Sequence, residues 1–299
     1  MDYHGEKQVK SGFVALIGPP NVGKSTLLNA LLGQKISIVS PKPQTTRNKI
    51  LGIVNGDDYQ IVIIDTPGIH TARSPLNQGM VKMAVSSLAD VDVIIFMIDI
   101  SFPLPSKIIA ATDHLQNAGK PVILLVNKAD LVEREKLLPI LDAYRNVFPF
   151  HAMIPISALH QDGTDILIKE LLQLLPTGPR LYPEDIPTDS TERFIAAEII
   201  REKIFLLTTQ EIPYSCAVMV DSFQEEEKRI TIHATIFVER KSQKGIIIGK
   251  QGSMLKQIGQ SARLELKDLL GINIVLKLWV KIRKDWSTDE FFLRELGLS

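Results

Sequence analysis

At 299 residues the chain has room for two ordinary domains, and 45% apolar with 23% charged residues is a globular composition that excludes wholesale disorder. The formal net charge is zero but unevenly spread. Between Lys241 and Lys284 ten Lys and Arg face only Glu265 and Asp268, so one end of the chain is strongly basic and suited to a polyanion.

The polar start, 1–11, lacks the apolar core of a signal peptide and is expected to be a tail. From Gly12 to Leu175, short β-branched runs alternate with amphipathic stretches. Phe13–Ile17, Ile61–Ile64, Val93–Ile98, Val122–Val126 and Ile154–Ile156 are predicted strands. Lys24–Leu32, Gln78–Ala89, Ser106–Asn117, Glu133–Phe148 and Asp165–Leu174 are predicted helices. That alternation predicts a doubly wound, mainly parallel α/β domain over 12–175. Val93–Ile98 is the best apolar run and falls far short of the roughly 18 residues that span a membrane.

Prolines 176, 179, 183 and 187 crowd a polar linker, 176–190. Asp189 and Glu192 resemble a capping box opening a helix over Glu192–Leu207. Strand-like Ser215–Val220 and Arg229–Val238, a helical region over Gly249–Leu270 and alternating Asn273–Arg283 give the order α-β-β-α-α-β. This is an α+β second domain over 191–284, followed by a tail or short helix over 285–299. The single cysteine, Cys216, excludes an internal disulfide and fits a reduced cytosolic protein.

Gly18-Pro19-Pro20-Asn21-Val22-Gly23-Lys24-Ser25 matches the P-loop pattern between a predicted strand and helix. Its glycines let successive N–H groups turn inward as an anion nest. Lys24 is expected to neutralise the β- and γ-phosphates, and the Ser25 hydroxyl to ligate Mg²⁺. Asp65-Thr66-Pro67-Gly68 follows a strand, so Asp65 can hold a Mg²⁺-bound water and the Gly68 N–H can reach the γ-phosphate. In Asn127-Lys128-Ala129-Asp130, the Asp130 carboxylate can accept from N1–H and the 2-amino group of guanine, donors that adenine does not offer in that arrangement. Asn127 would contact base and P-loop, and the Lys128 stem would cover the ring. Ser157-Ala158-Leu159 is placed to give a backbone N–H to the guanine carbonyl. The ligand expected is therefore GTP or GDP.

Together with Gln44-Thr45-Thr46-Arg47, these motifs resemble the Era family of translation-associated GTPases. The likeness continues through Glu198-Ile199-Ile200-Arg201-Glu202-Lys203, Ile212-Pro213-Tyr214 and Val238-Glu239-Arg240. The resemblance implies that Thr46 closes on Mg²⁺, within a first switch over Ser40–Asn48 that includes Asn48, and that a second switch covers Thr66 to Asn77. It implies slow GTP hydrolysis with Lys24, Asn21, Thr46 and Gly68 in catalytic roles. Where many GTPases carry a water-orienting glutamine, this chain has Ile69, either a packing residue or a sign of another device. Asn21 resembles the P-loop asparagine with which related GTPases hold K⁺.

Ile246-Ile247-Ile248-Gly249-Lys250-Gln251-Gly252 followed by Met254, Leu255 and Ile258 matches a KH signature, here of type II. Gly249 and Gly252 would let an RNA backbone lie against the loop, with Gln251 between them and Lys244, Lys250 and Lys256 supplying charge. Ile248 and Leu255 are candidates for the base groove. The resemblance implies binding to the 3′ end of 16S ribosomal RNA and help in 30S subunit maturation. It also implies a cytoplasmic location with possible peripheral inner-membrane contact, and no DNA. Two other classes compete: a signalling GTPase whose small domain binds protein, and a nucleotide kinase, for which a guanine-reading Asp130 would have no purpose.

Overall fold

A computed structural model describes residues 8–69, 74–100 and 109–298, with 109–112 and 134 described by backbone alone. The first seven residues of the expected tail, second-switch residues 70–73 and helix positions 106–108 lie outside the described residues. The chain divides into two compact units, one of residues 8–37, 46–69, 80–100 and 109–189, the other of 38–45, 74–79 and 190–298.

In the first unit β1 (Val9–Ile17), β2 (Ile50–Gly56), β3 (Tyr59–Asp65), β4 (Val93–Asp99), β5 (Val122–Asn127) and β6 (Ala152–Pro155) form a sheet in the order β2-β3-β1-β4-β5-β6. All pairings along it are parallel except β2 with β3. Both faces are covered, which is why every residue of β4 is buried and the strands are apolar runs rather than alternations. The helices are α1 (Lys24–Leu32), α2 (Pro75–Ser86), α3 (Ile109–Ala118), α4 (Arg134–Arg145) and α5 (Thr164–Leu174). Parallel pairing brings the carboxyl ends of β1, β3 and β5 to one edge, so the loops after Ile17, Asp65 and Asn127 emerge together.

Three features differ from expectation. The edge strand β2 has no sequence forecast, because Gly52 interrupts its apolar pattern. A Cβ at Gly52 would lie 2.5 Å from Leu28 Cδ1, so glycine is what lets α1 pack there. Strand β1 starts at Val9, within the stretch expected as tail. It pairs with a two-residue β7 (Thr177–Gly178) taken from the expected linker, while Ser11 N–H donates to the Pro176 carbonyl. Helix α2 begins at Pro75 rather than Gln78, proline being well suited to a first helical turn.

The second unit contains α6 (Glu192–Leu207), β8 (Cys216–Glu226), β9 (Arg229–Val238), α7 (Lys241–Ile248), α8 (Ser253–Leu270), β10 (Asn273–Ile282) and α9 (Glu290–Glu295). Its sheet runs β10-β9-β8, with β10 parallel and β8 antiparallel to β9. Ile232, Ile236 and Ile274 on one face pack with Ile200, Ile204, Ile247, Ile258 and Ala262 from the helices. The α6 cap is Thr191, whose Oγ1 accepts from Phe194 N–H; Asp189 lies two residues too early to reach that group. Residues after 284 are part of the unit: Trp286 is fully buried and donates from Nε1 to the Ser215 carbonyl, and Phe292 meets Phe237 edge-on.

Candidate functional site

The phosphate loop joins β1 to α1. A Cβ at Gly18 would lie 2.1 Å from the Met97 carbonyl oxygen and one at Gly23 2.2 Å from Asn127 Nδ2, so both positions require glycine. Asn21 takes the left-handed region at φ 63°. Lys24 Nζ donates to the carbonyls of Gly18 and Pro19 at 3.1 and 2.9 Å. Burial pulls the Lys24 ammonium down from 10.5 to about 8, with the Asp65 carboxylate pulling the other way.

At the α1 start, Ser25 Oγ lies 2.7 Å from Asp65 Oδ2 and 2.8 Å from Thr46 Oγ1. Ser37 Oγ adds a donor to the same carboxylate oxygen at 2.9 Å. Asp65 Oδ1 is buried and has no hydrogen-bond partner among the described residues. Burial raises the Asp65 pKa, opposed by the Lys24 charge and by hydrogen bonds from Ser25, Ser37 and the Thr66 N–H. A buried carboxylate with an unused oxygen beside two hydroxyls is a donor set that fits a hard divalent cation.

Thr66 Oγ1 donates to the Leu16 carbonyl, tying the loop after β3 to β1. A Cβ on Gly68 would lie 2.7 Å from Pro20 N, and Ile69 N–H donates to the Gly18 carbonyl. The Ile69 side chain packs against the core cluster that includes Ala15 and Ile17, so its role is at least that of a packing residue.

After β5, Asn127 Nδ2 donates to the Val22 carbonyl and Asn127 Oδ1 accepts from Ala158 N–H. Of the tripeptide Ser157-Ala158-Leu159, expected to give a backbone N–H to a guanine carbonyl, the Ala158 N–H is engaged in holding Asn127; Ser157 and Ala158 are buried and Leu159 is exposed. Lys128 at φ 62° forms an ion pair with Asp99, the last residue of β4. Asp130 sits on the following single turn with His160 Nε2 3.9 Å from its carboxylate.

Sequence reasoning missed Ser37 and Asp99. The signal for Asp99 was a lone acid ending an all-apolar strand. It also missed Asn29, whose Oδ1 accepts from the N–H groups of Ile36 and Ser37. Within the second unit, Arg201 donates to the Thr45 carbonyl and Glu202 accepts from Val39 N–H, positioning the stretch before Thr46. Gln44 lies in that stretch at φ 60°, and Arg47 just beyond it is buried.

The second unit carries an open groove of about 440 Å³ lined by Gly252, Leu255, Lys256, Gly259, Gln260, Arg263, Leu276 and Leu278. Gly249 is required by its own chain, since a Cβ there would lie 2.7 Å from Met254 N; Gly252 faces open space at φ 79°. Of the expected RNA residues, Gly252, Leu255 and Lys256 line the groove. Ile248 instead packs against the core, and Lys244, Lys250 and Gln251 are not among the lining residues. Gly259, Gln260 and Arg263 were missed although they continue the 252, 255, 256 stripe at helical spacing.

Residues 13–128 match the model of the 50S ribosome-binding GTPase family, and residues 211–287 match a KH domain model. GTPase Era of Syntrophus aciditrophicus is 51% identical over 290 residues, covering 96% of this chain and 95% of that one. This chain belongs to the Era family of GTPases. GTPase Era of Geobacter metallireducens is 53% identical over 96% of this chain and 97% of its own. Among solved structures, a point variant of Aquifex aeolicus Era bound to GDP·AlF4⁻ is 42% identical with TM-score 0.94, covering 97% of this chain and 100% of that one. An Era in complex with MgGDPNP and nucleotides 1506–1542 of 16S ribosomal RNA is 42% identical with TM-score 0.93, covering 97% and 99%. No helix among the described residues is long and apolar enough to cross a membrane.

Proposed function

We propose that this GTPase is a GTP-driven switch that binds 16S ribosomal RNA near its 3′ end and assists 30S subunit maturation. On this reading the GTPase domain starts with β1 at Val9 and keeps β7 in its sheet, and the type II KH domain runs from α6 through the buried Trp286 and Phe292. The observation that carries it is the meeting of Ser25, Thr46 and Asp65 beside Lys24, in a chain whose basic segment also bears a groove opening beside Gly252.

The N–H groups of the Gly18–Ser25 loop and Lys24 would hold the phosphates, and Asn127, Lys128 and Asp130 the guanine. Ser25, Thr46 and Asp65 would hold Mg²⁺, which when bound neutralises charge on the β- and γ-phosphates. Gly68 N–H would report the γ-phosphate, and its loss would release the two switch segments. Asn21 would hold K⁺, supplying positive charge where Ile69 provides no polar group. Leu255 and Leu276 offer apolar surface for bases, with Lys256 and Arg263 for phosphates. The protein would act in the cytoplasm, where ribosomal subunits are assembled, with peripheral contact at the inner membrane surface.

The test pairs two variants. Lys24→Ala is expected to abolish nucleotide binding. Gly252→Asp is expected to spare it and weaken binding of a 16S 3′-end RNA at least tenfold, by placing an acid at the groove mouth. Unchanged RNA affinity in Gly252→Asp would overturn the groove assignment.

A further inference from the structure

The groove uses the helical side of the second unit's sheet edge; the opposite face of β9 and β10 is differently built. Alternation along β10 places Lys277, Trp279 and Lys281 together on that outer face, since Ile274 and Val280 point into the core. Trp279 is 44% exposed and stands edge-on to His233, with ring centroids 5.2 Å apart and planes at 63°. The register sets Lys277 opposite His233 and Lys281 opposite Phe237. Both lysines are exposed and neither has an ion-pair partner among the described residues. His233 Nε2 is buried and lacks a hydrogen-bond partner among them. The nearby acid Asp221 accepts from Thr235 Oγ1. Phe292 meets Phe237 edge-on at the end of this face where Lys281 stands, and Lys281 itself is exposed.

We propose that the outer face around Trp279 is a second RNA-contacting surface, which stacks an unpaired base on the indole and holds the flanking phosphates with Lys277 and Lys281. The inference rests on the RNA-binding reading above and extends it to a different surface. A KH groove takes about four nucleotides, so a longer strand has chain left over to reach a second face. The basic charge of the 241–284 segment is divided accordingly: Lys256 and Arg263 line the groove, whereas Lys277 and Lys281 stand on the other side of the sheet. A partly exposed indole flanked along its strand by two lysines that have no ion-pair partner among the described residues suits a base between phosphates; a protein partner would call for a broader apolar patch.

The chain has two tryptophans, and Trp286 is fully buried, so RNA-dependent quenching of intrinsic fluorescence reports on Trp279. The full-length protein is titrated with a single-stranded RNA of about four nucleotides and with one of about twelve, both of 16S 3′-end sequence. Only the longer RNA is expected to quench. Trp279→Ala should weaken the longer RNA about tenfold and leave the shorter unchanged, which also shows that the variant is folded; Trp279→Phe should recover most of the loss. Lys277→Gln with Lys281→Gln should reduce the salt dependence of the longer RNA by about two phosphate contacts. Equal affinity of wild type and Trp279→Ala for the longer RNA, or loss confined to Gly252→Asp, would overturn the second surface and leave the groove standing. Failure of both RNAs to bind wild type would overturn the RNA reading itself.

Discussion

Asn127 Nδ2 donates to the carbonyl of Val22 at 2.7 Å, joining two loops 105 residues apart in sequence. The same amide's oxygen holds Ala158 N–H at 2.9 Å, so one side chain pins the phosphate loop and the loop after β6 to the end of β5. Asn127→Ala leaves the Val22 carbonyl and Ala158 N–H unpaired in a buried setting, each costing about 1–3 kcal/mol. Affinity for GDP and for GTP should fall together by at least a hundredfold in titrations with a fluorescent nucleotide. A loss confined to one nucleotide would show that Asn127 does not join the loops.

Asp130 is the proposed guanine reader. Asp130→Asn replaces one acceptor with a donor, which mismatches the 2-amino group of guanine and matches the 2-carbonyl of xanthine. The variant should bind XDP more tightly than GDP, reversing the wild-type order. Retained GDP preference would move base selection elsewhere.

Lys24, proposed to hold the phosphates, should make nucleotide binding sensitive to alkaline pH. Burial holds its pKa at about 8, and the phosphates favour its charged form, so binding takes up a proton once the pH exceeds that value. Affinity for metal-free GDP should fall as the pH rises through the Lys24 pKa of about 8, approaching about tenfold per unit. Calorimetry in buffers of different ionisation enthalpy checks the sign through the proton uptake; no uptake at pH about 9 would contradict it.

If Asn21 holds K⁺, hydrolysis at saturating GTP should be several-fold faster in potassium than in sodium chloride at equal ionic strength, and Asn21→Ala should erase the difference. Equal rates in the two salts would leave Ile69 as a packing residue alone.

The short loops proposed to hold the nucleotide were legible in the sequence. Gly18 to Ser25, Asp65 to Gly68 and Asn127 to Asp130 are short stretches that point to nucleotide chemistry by their shared order and their places after predicted strands, not singly. The doubly wound order followed from apolar runs, but β2 did not, because Gly52 serves α1 packing rather than strand propensity. Contacts that cross the fold were invisible. Ser37 reaches Asp65 across 28 residues and Asp99 pairs with Lys128 from a neighbouring strand, neither within any motif. In the groove, the G-x-x-G loop drew the sequence reading toward Lys250 and Ile248, whereas Gly259, Gln260 and Arg263 line it by continuing down one face of α8. That stripe was readable from helical spacing, and Gly259, a costly residue in mid-helix, was its clearest mark.

The coupling of the GTP site to RNA is tested most directly by single-turnover GTP hydrolysis in Mg²⁺ and K⁺ while a 16S 3′-end RNA is titrated in. The account predicts a saturable several-fold change in rate, shifted to much higher RNA concentration by Gly252→Asp. A rate that stays the same from zero to saturating RNA would contradict it.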